Sequence, residues 1–214
     1  MTHTVSAPLV TTLRRLLHPP EPAPACDLCH GALSDPHAHV VDIQGRRLLC
    51  ACGPCAAAAP DATRREAHSE SASVRFKPVP RRLAPLPGRI IADAHWRALE
   101  VPVDLAFFFL NSRAGRIVAC YPGPAGVTEA WPPPEGWTAL AEAHPWVRAL
   151  CSDVEALLVR RVDGRCDAYR APIDACYELA GRIRAHWSGM NGGALVRAEI
   201  DQFFAAIPQP ETAP

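Results

Sequence analysis

Apolar and polar positions divide the chain after residue 74 into strand-length and helix-length segments. Four apolar runs have the length of buried strands and lie at 103–110, 116–121, 154–162 and 166–170. Turn residues separate them in pairs, with Asn111–Gly115 between the first two runs and Asp163–Gly164 between the last two. The pattern therefore predicts two β-hairpins.

Apolar residues that recur every three or four positions predict helices at 91–99, 136–143, 173–187 and 194–207. The last helix is expected to bury Leu195, Ile200, Phe203 and Phe204. Hairpins with helices before, between and after them predict an α+β domain with a mainly antiparallel sheet, which we assign to residues 74–207. Its expected core consists of Leu105, Phe107, Phe109, Ile117, Leu157, Ile183 and Phe203.

Proline-rich and small polar stretches delimit the remaining parts of the chain. Residues 1–25 are predicted to be an N-terminal arm, helical at 6–17, followed by a proline-rich linker. Residues 60–73 are predicted to be a second linker, and 208–214 a disordered tail. A short run at 74–78 is expected to be an edge strand, since Pro78 limits its pairing.

Residues 26–59 carry the clearest chemical pattern in the chain. Cys26 and Cys29 form one Cys-x-x-Cys motif, and Cys52 and Cys55 form another. Two such motifs separated by a loop are typical of a tetrahedral four-cysteine zinc site, in which each turn supplies two soft thiolate ligands. Iron bound by the same four thiolates is the alternative cofactor.

The residues between these motifs predict a small fold around the metal. Val40–Ile43 and Arg46–Cys50 flank a Gln44–Gly45 turn and predict a hairpin, and the stretch after Cys52 favours a helix, with Pro54 in its first turn. The Cys26–Cys29 turn, which we call the knuckle, is thus followed by a hairpin and a helix. This order predicts a treble-clef or zinc-ribbon-like four-cysteine module, fused to the α+β domain.

Three further residues could replace one of the four cysteines as metal ligands. Cys50 lies two residues before Cys52, so both side chains share a face if residues 48–52 remain extended. His37 and His39 precede the hairpin, and either could replace a cysteine. These three residues are therefore reserve ligands.

Composition limits the classes of partner and the cellular compartment that we expect. The formal net charge is zero, which argues against nucleic acid and anionic membranes as partners. No apolar run approaches the length of about 18 residues that suggests a membrane span. Nine cysteines, an odd and clustered set, occur without a signal-peptide pattern. We therefore expect a cytoplasmic protein whose thiols are free or metal-bound.

No catalytic constellation can be assembled from the sequence. It contains no phosphate loop, dinucleotide fingerprint, Gly-x-Ser-x-Gly or His-Glu-x-x-His motif, and its scattered carboxylates form no recognisable acid–base pair. Cys52-Gly-Pro-Cys55 matches the thioredoxin tetrapeptide, so a thiol oxidoreductase is one alternative. The tryptophan usual before the first cysteine is missing. Cys120, Cys151, Cys166 and Cys176 are expected to be small core hydrophobes.

The set of motifs resembles an uncharacterised bacterial family whose genes commonly accompany nickel–iron hydrogenase operons. The resemblance covers about residues 26–206 and is carried by the cysteine motifs with His39 and Asp42, Val101–Phe109, Tyr121-Pro122, Ala125-Gly126, Asp153–Leu158, Pro172–Asp174, Cys176-Tyr177 and Trp187. It implies a setting in hydrogenase assembly or electron supply, and no catalytic residues.

Together these observations predict a zinc-binding accessory protein, without enzymatic activity, that acts by protein–protein interaction. The expected partner is a hydrogenase subunit or maturation factor. The turn at Gln44–Arg47 and the loop at Pro122–Trp131 are the expected contact surfaces, because tryptophan and arginine often carry binding energy at interfaces. A rubredoxin-like electron carrier for a hydrogenase, with iron in place of zinc, is the second hypothesis.

Overall fold

A computed structural model describes residues 23–59 and 75–208, apart from the side chains of residues 87–89. Most of the predicted N-terminal arm (1–22), the linker at 60–73 and residues 209–214 of the predicted tail lie outside the described residues. The described parts form two antiparallel sheets with helices, which confirms the predicted α+β fold class.

The smaller sheet contains the predicted hairpin of the cysteine module. Strands β1 (Ala38–Asp42) and β2 (Arg47–Ala51) pair antiparallel, with Val40 opposite Leu49. Helix α1 (Gly53–Ala58) follows directly, with a proline in its first turn. The predicted edge strand is β3 (Phe76–Pro78), which pairs with β1 and gives the sheet order β2-β1-β3. The first strand after the linker thus completes the sheet of the cysteine module.

The larger sheet has six strands, and all its pairings are antiparallel. The strand order is β4-β9-β8-β5-β6-β7. The strands are β4 (Ala84–Ile91), β5 (Leu105–Asn111), β6 (Arg116–Gly123), β7 (Gly126–Ala130), β8 (Glu155–Val162) and β9 (Arg165–Pro172). The two predicted hairpins, β5–β6 and β8–β9, are joined side by side through β5 and β8.

Two strands of this sheet, β4 and β7, were not predicted from the sequence, and both lie at its edges. Prolines at 85 and 87 made β4 look unlike a strand, but an edge strand tolerates proline, and its pairing with β9 is irregular between Pro85 and Ile90. β7 falls in the segment read as a glycine- and proline-rich loop. Gly123 and Gly126 instead close a tight hairpin there, with Gly126 at a φ of +116°.

Helices cover both faces of the larger sheet. The helices are α2 (Asp93–Ala98), α3 (Pro134–Ala143), α4 (Ile173–Ala185) and α5 (Gly193–Ala205), with a short 3-10 helix at Pro145–Ala149. Alternation along β5 sends Phe107 and Phe109 towards α4 and α5, and Phe108 towards α2 and α3. Each such aromatic side chain contributes about 1.5–3 kcal/mol by leaving water.

The predicted core is buried except for Ile117, which is partly buried. On α5 one prediction was wrong, because Leu195 is 62% exposed. The buried face of that helix runs through Val196, Phe203 and Phe204. Leu195 is one residue, or about 100° of helix rotation, away from Val196.

Polar and apolar contacts join the smaller sheet to the larger one. Val41 and Val79 pack against the core beneath α4. Lys77 on β3 donates to the carboxylate of Asp153 at 2.6 Å and to the hydroxyl of Ser152 at 2.9 Å. Both members of the Lys77–Asp153 pair are largely buried, so the two sheets meet in a partly desolvated interface. The division into a module and a domain stays a prediction.

Within 23–59 and 75–208, no helix has the length and apolar content that crossing a membrane requires.

Candidate metal centre

A tight turn before the smaller sheet brings the first two cysteines together. The N–H of Cys26 donates to the carbonyl of Gly31, and the N–H of His30 donates back to the carbonyl of Cys26, both at 2.8 Å. His30 adopts a left-handed φ of +60°, and Ala25 and Ala32 form a bridge at the base of the turn. The Cys26-x-x-Cys29 segment therefore closes on itself, as the sequence motif predicts.

The second pair of cysteines lies where a strand becomes a helix. β2 ends at Ala51, Cys52 is the N-cap residue of α1, and Cys55 lies in the first turn of the helix. The N–H of Ala56 donates to the carbonyl of Cys52 at 3.0 Å. Residues three positions apart project from one side of a helical turn, so Cys52 and Cys55 lie side by side.

Asp27 links the knuckle to β2. Its N–H donates to the carbonyl of Cys50 at 2.9 Å, and its carboxylate accepts the N–H of Cys50 at 2.6 Å. This pair of hydrogen bonds holds the two cysteine pairs next to each other. The sulfurs of Cys26, Cys29, Cys52 and Cys55 all lie within 4.8 Å of one another.

The spacing of these sulfurs fits a tetrahedral metal ion. Sγ of Cys29 and Sγ of Cys52 are 3.7 Å apart, and all nine cysteines are free thiols. A zinc–sulfur bond of about 2.3 Å in tetrahedral geometry places two sulfurs about 3.8 Å apart, whereas a disulfide needs about 2.05 Å. The four residues would hold the ion with no protein position left open, as in a structural zinc site.

Electrostatics prepare one of these thiols to bind a cation. The pKa of Cys26 falls to about 6, chiefly because the backbone N–H of Cys52 donates to its sulfur, with further donation from the N–H groups of Cys29 and Leu28. The pKa of Cys55 rises to about 12, first through its thiol contact with Cys52 and then through Cys29. A cation bound here would displace the remaining protons.

The three reserve ligands form a separate cluster on the other face of the hairpin. His39 lies directly opposite Cys50 in the β1–β2 register, and His37 is two residues earlier. One ligand atom from each residue lies within 4.8 Å of the other two. Cys50 and Cys52 therefore belong to different clusters, with Cys50 beside the histidines and Cys52 beside the other three cysteines.

Asp174 also contacts this cluster, although it was not among the predicted site residues. Its Oδ2 lies 2.8 Å from Nδ1 of His39, although the two residues are 135 positions apart. Asp174 is in the first turn of α4, and its other oxygen accepts the N–H of Ala175. No local pattern could have found this contact, since it arises from the packing of the smaller sheet against α4.

The other cysteines lie in the larger domain. Cys120, Cys166 and Cys176 are buried, as expected, while Cys151 is half-buried. Burial raises the pKa of Cys120 to about 12, and that of Cys176 well above its ordinary value. Thiols of this kind are poor nucleophiles at neutral pH.

A cleft of about 320 Å³ lies between the hairpin and the larger sheet. Its lining includes Arg46, Arg47, Glu129 and Tyr177. Arg46 donates to the carboxylate of Glu129 at 2.7 Å, so the turn at 44–47 touches the β6–β7 hairpin. The two segments expected to contact a partner are thus neighbours.

The model of a family described as "Family of unknown function (DUF5947)" matches residues 25–211, and the chain belongs to this family. The expected membership of an uncharacterised family is thereby confirmed. No curated protein and no solved structure matches the chain.

Proposed function

We propose that this member of the DUF5947 family is a zinc-binding accessory protein that acts by protein–protein interaction. The observation that supports it is the set of four cysteine sulfurs within 4.8 Å of one another. A closed four-thiolate site leaves no coordination position for substrate or water, so the ion would serve the fold and not a reaction.

The small size of the module supports a structural role for the ion. Its buried apolar core consists of Cys26, Val40, Leu49 and Ala51. Four small or medium side chains stabilise a fold only weakly, and small domains of this kind commonly depend on a metal. The zinc ion would hold the knuckle, the hairpin and α1 in a treble-clef arrangement.

The proposed contact surface combines the Gln44–Arg47 turn with the β6–β7 hairpin up to Trp131. Trp131 is 64% exposed, and the guanidinium of Arg116 stacks on its ring at 3.8 Å from the centroid. Arg113 donates to the carbonyl of Gln44 at 2.8 Å, which ties the turn to the larger sheet. A rigid exposed tryptophan beside arginines has the composition of an interface hot spot.

The proposed partner is a hydrogenase subunit or a maturation factor, and this assignment rests on the motif resemblance described above. Its test is affinity purification of the tagged chain from its host, with identification of the co-purified proteins by mass spectrometry. We expect wild type to recover such a protein and the triple variant Trp131→Ala, Arg46→Ala, Arg47→Ala to lose it. Recovery of no hydrogenase-related protein by wild type would reject the setting.

Two control variants distinguish the loss of a contact surface from a general effect on the fold. Glu129→Gln breaks the ion pair with Arg46 but keeps both arginines, so it should retain the partner if Arg46 itself makes the contact. Arg165→Ala with Met190→Ala removes exposed side chains elsewhere and should also retain it. Equal recovery by the triple variant and by wild type, both folded, would reject this surface.

A second candidate is the rubredoxin-like electron carrier, with iron on the same four thiolates. The exposure of Cys29 favours it, because an electron carrier needs one edge of its site at the surface. Metal analysis of anaerobically purified protein separates the two. Zinc protein is colourless, whereas ferric iron held by four thiolates is red and has a measurable midpoint potential. A reversible visible spectrum would replace the structural role with electron transfer.

A further inference from the structure

The cluster of His37, His39 and Cys50 is the strongest unassigned arrangement of ligands in the described part of the chain. Antiparallel register places His39 opposite Cys50, and His37, which immediately precedes β1, packs its ring against that of His39. Their ligand atoms lie within 4.8 Å of one another, and the histidine rings are 4.8 Å apart. Two imidazoles and one thiol therefore converge.

Asp174 gives this cluster the outer contact that metal-binding histidines commonly have. Its carboxylate lies 2.8 Å from Nδ1 of His39. This contact fixes the ring and leaves Nε2 as the free nitrogen. A carboxylate that accepts the second N–H of a ligand histidine orients the ring and strengthens it as a ligand.

His37 carries an independent sign of a missing partner. Its Nε2 is buried from solvent and has no hydrogen-bond partner among the described residues. A buried polar nitrogen without a partner destabilises the fold, because it has lost its hydrogen bonds to water. A cation at this cluster would supply an interaction that the protein itself does not.

A cysteine–histidine–aspartate nucleophile is the competing interpretation of the same residues, and two observations disfavour it. The N–H of Cys50 is already donated to Asp27, so it cannot stabilise an oxyanion. A triad also leaves His37 without a role.

We propose that His37, His39 and Cys50 bind a second divalent transition metal ion, with Asp174 as the positioning residue of His39. Two imidazoles and one thiolate suit Zn²⁺, and three protein ligands leave a fourth position for water or an exogenous ligand. This site is therefore of the open kind, unlike the closed four-cysteine site. The inference goes beyond the structural role proposed above.

The test is stoichiometric binding of Co²⁺ and Zn²⁺ to the metal-free full chain under anaerobic conditions. We expect wild type to bind two equivalents of either metal. His37→Gln and Cys50→Ser should each bind one equivalent and keep the cobalt–thiolate absorption of the four-cysteine site. That retained spectrum shows within the same sample that the variant is folded. His186→Gln and Cys151→Ser, which remove an imidazole and a thiol elsewhere, should still bind two.

The positioning role of Asp174 has its own readout. Asp174→Asn keeps all three ligands, so it should lower the affinity for the second equivalent by about 10–100-fold without changing the first. Binding of a single equivalent by wild type with zinc in large excess would overturn the site. Binding of two equivalents by both His37→Gln and Cys50→Ser would also overturn the site. Rapid alkylation of Cys50 that depends on His39 but not on His37 would establish the triad instead.

Discussion

Cys52 lies between the end of β2 and the first turn of α1, and this single residue takes part in three features of the site. It is the N-cap of α1, its backbone N–H donates to the sulfur of Cys26, and its own sulfur lies 3.7 Å from that of Cys29. Substitution of Cys52 therefore affects several features of the module at once.

We expect Cys52→Ser to abolish metal binding at the four-cysteine site and to unfold the module. Structural zinc contributes on the order of 10 kcal/mol to small metal-dependent folds, which exceeds what the core of the module can supply. Zinc content after gel filtration and amide hydrogen exchange of residues 26–55 measure both effects. Cys50→Ser, two residues away, is the matched control and should keep the four-thiolate cobalt spectrum. Full occupancy of that site in Cys52→Ser would contradict the ligand assignment.

Asp42, the last residue of β1, has a buried and hydrogen-bonded carboxylate. It is only 1% exposed, accepts the N–H of Gly45 at 3.1 Å and pairs with Arg75 at 3.3 Å. The N–H of Gly45, followed by the guanidinium of Arg75, lowers the pKa of Asp42 below its ordinary value. The charged form is therefore the one that the folded state stabilises.

Asp42→Asn should lower the free energy of unfolding by about 1–3 kcal/mol at pH 7, because a buried hydrogen-bond network loses its charge. A depressed folded-state pKa stabilises the fold above the unfolded-state pKa of about 3.9, and the contribution is lost as the pH falls through the folded-state value. The full effect is thus present at pH 7. Urea unfolding of the zinc-loaded protein measures it, with exposed Asp35→Asn as the control. A change below 0.5 kcal/mol would show that the charge is dispensable.

At the scale of elements, patterning located the helices and hairpins whose partners are near in sequence. The Phe107-Phe108-Phe109 run identified β5, and the cysteine spacing together with the Gln44–Gly45 turn identified the module. The strand and the contact that patterning did not predict depend on partners that are distant in the sequence. β4 is a strand because β9 offers it an edge, and the contact of Asp174 with His39 exists only once the smaller sheet packs on α4.

Close packing of α2 against α3 gives a sharp prediction at this scale. Gly136 lies in α3, where a Cβ atom would overlap the backbone carbonyl of Ala98 at the end of α2. Gly136→Ala should destabilise the protein by about 1–3 kcal/mol through overpacking. Gly181 in α4 has open space at the same position, so Gly181→Ala should stabilise by up to about 1 kcal/mol. Thermal unfolding compares the two variants directly. Stabilisation by Gly136→Ala as large as that by Gly181→Ala would show that α2 and α3 separate without cost.

At the scale of the whole molecule, the interface between the smaller sheet and the larger one determines how independent the two parts are. The larger domain has its own buried clusters on both faces of its sheet, and their buried members all lie outside residues 26–55. The module contributes the partner strand of β3, the side chain of Val41, and the polar contacts of His39 with Asp174 and of Arg46 with Glu129. Both members of the Lys77–Asp153 pair lie within residues 74–207, so a fragment without the module keeps both side chains.

We therefore predict that a fragment beginning at Val74 folds without the cysteine module. It should unfold cooperatively in urea, with a lower free energy of unfolding than the full chain, because β3 loses its pairing with β1 and the contacts of Val41 are lost. Near-ultraviolet circular dichroism and the sharpness of the urea transition measure this. The matched comparison is the full chain stripped of metal, in which the module unfolds but remains attached and the same transition should persist. A fragment that binds hydrophobic dyes and melts without cooperativity would show that the two sheets share one folding unit, and the metal would then stabilise the entire chain.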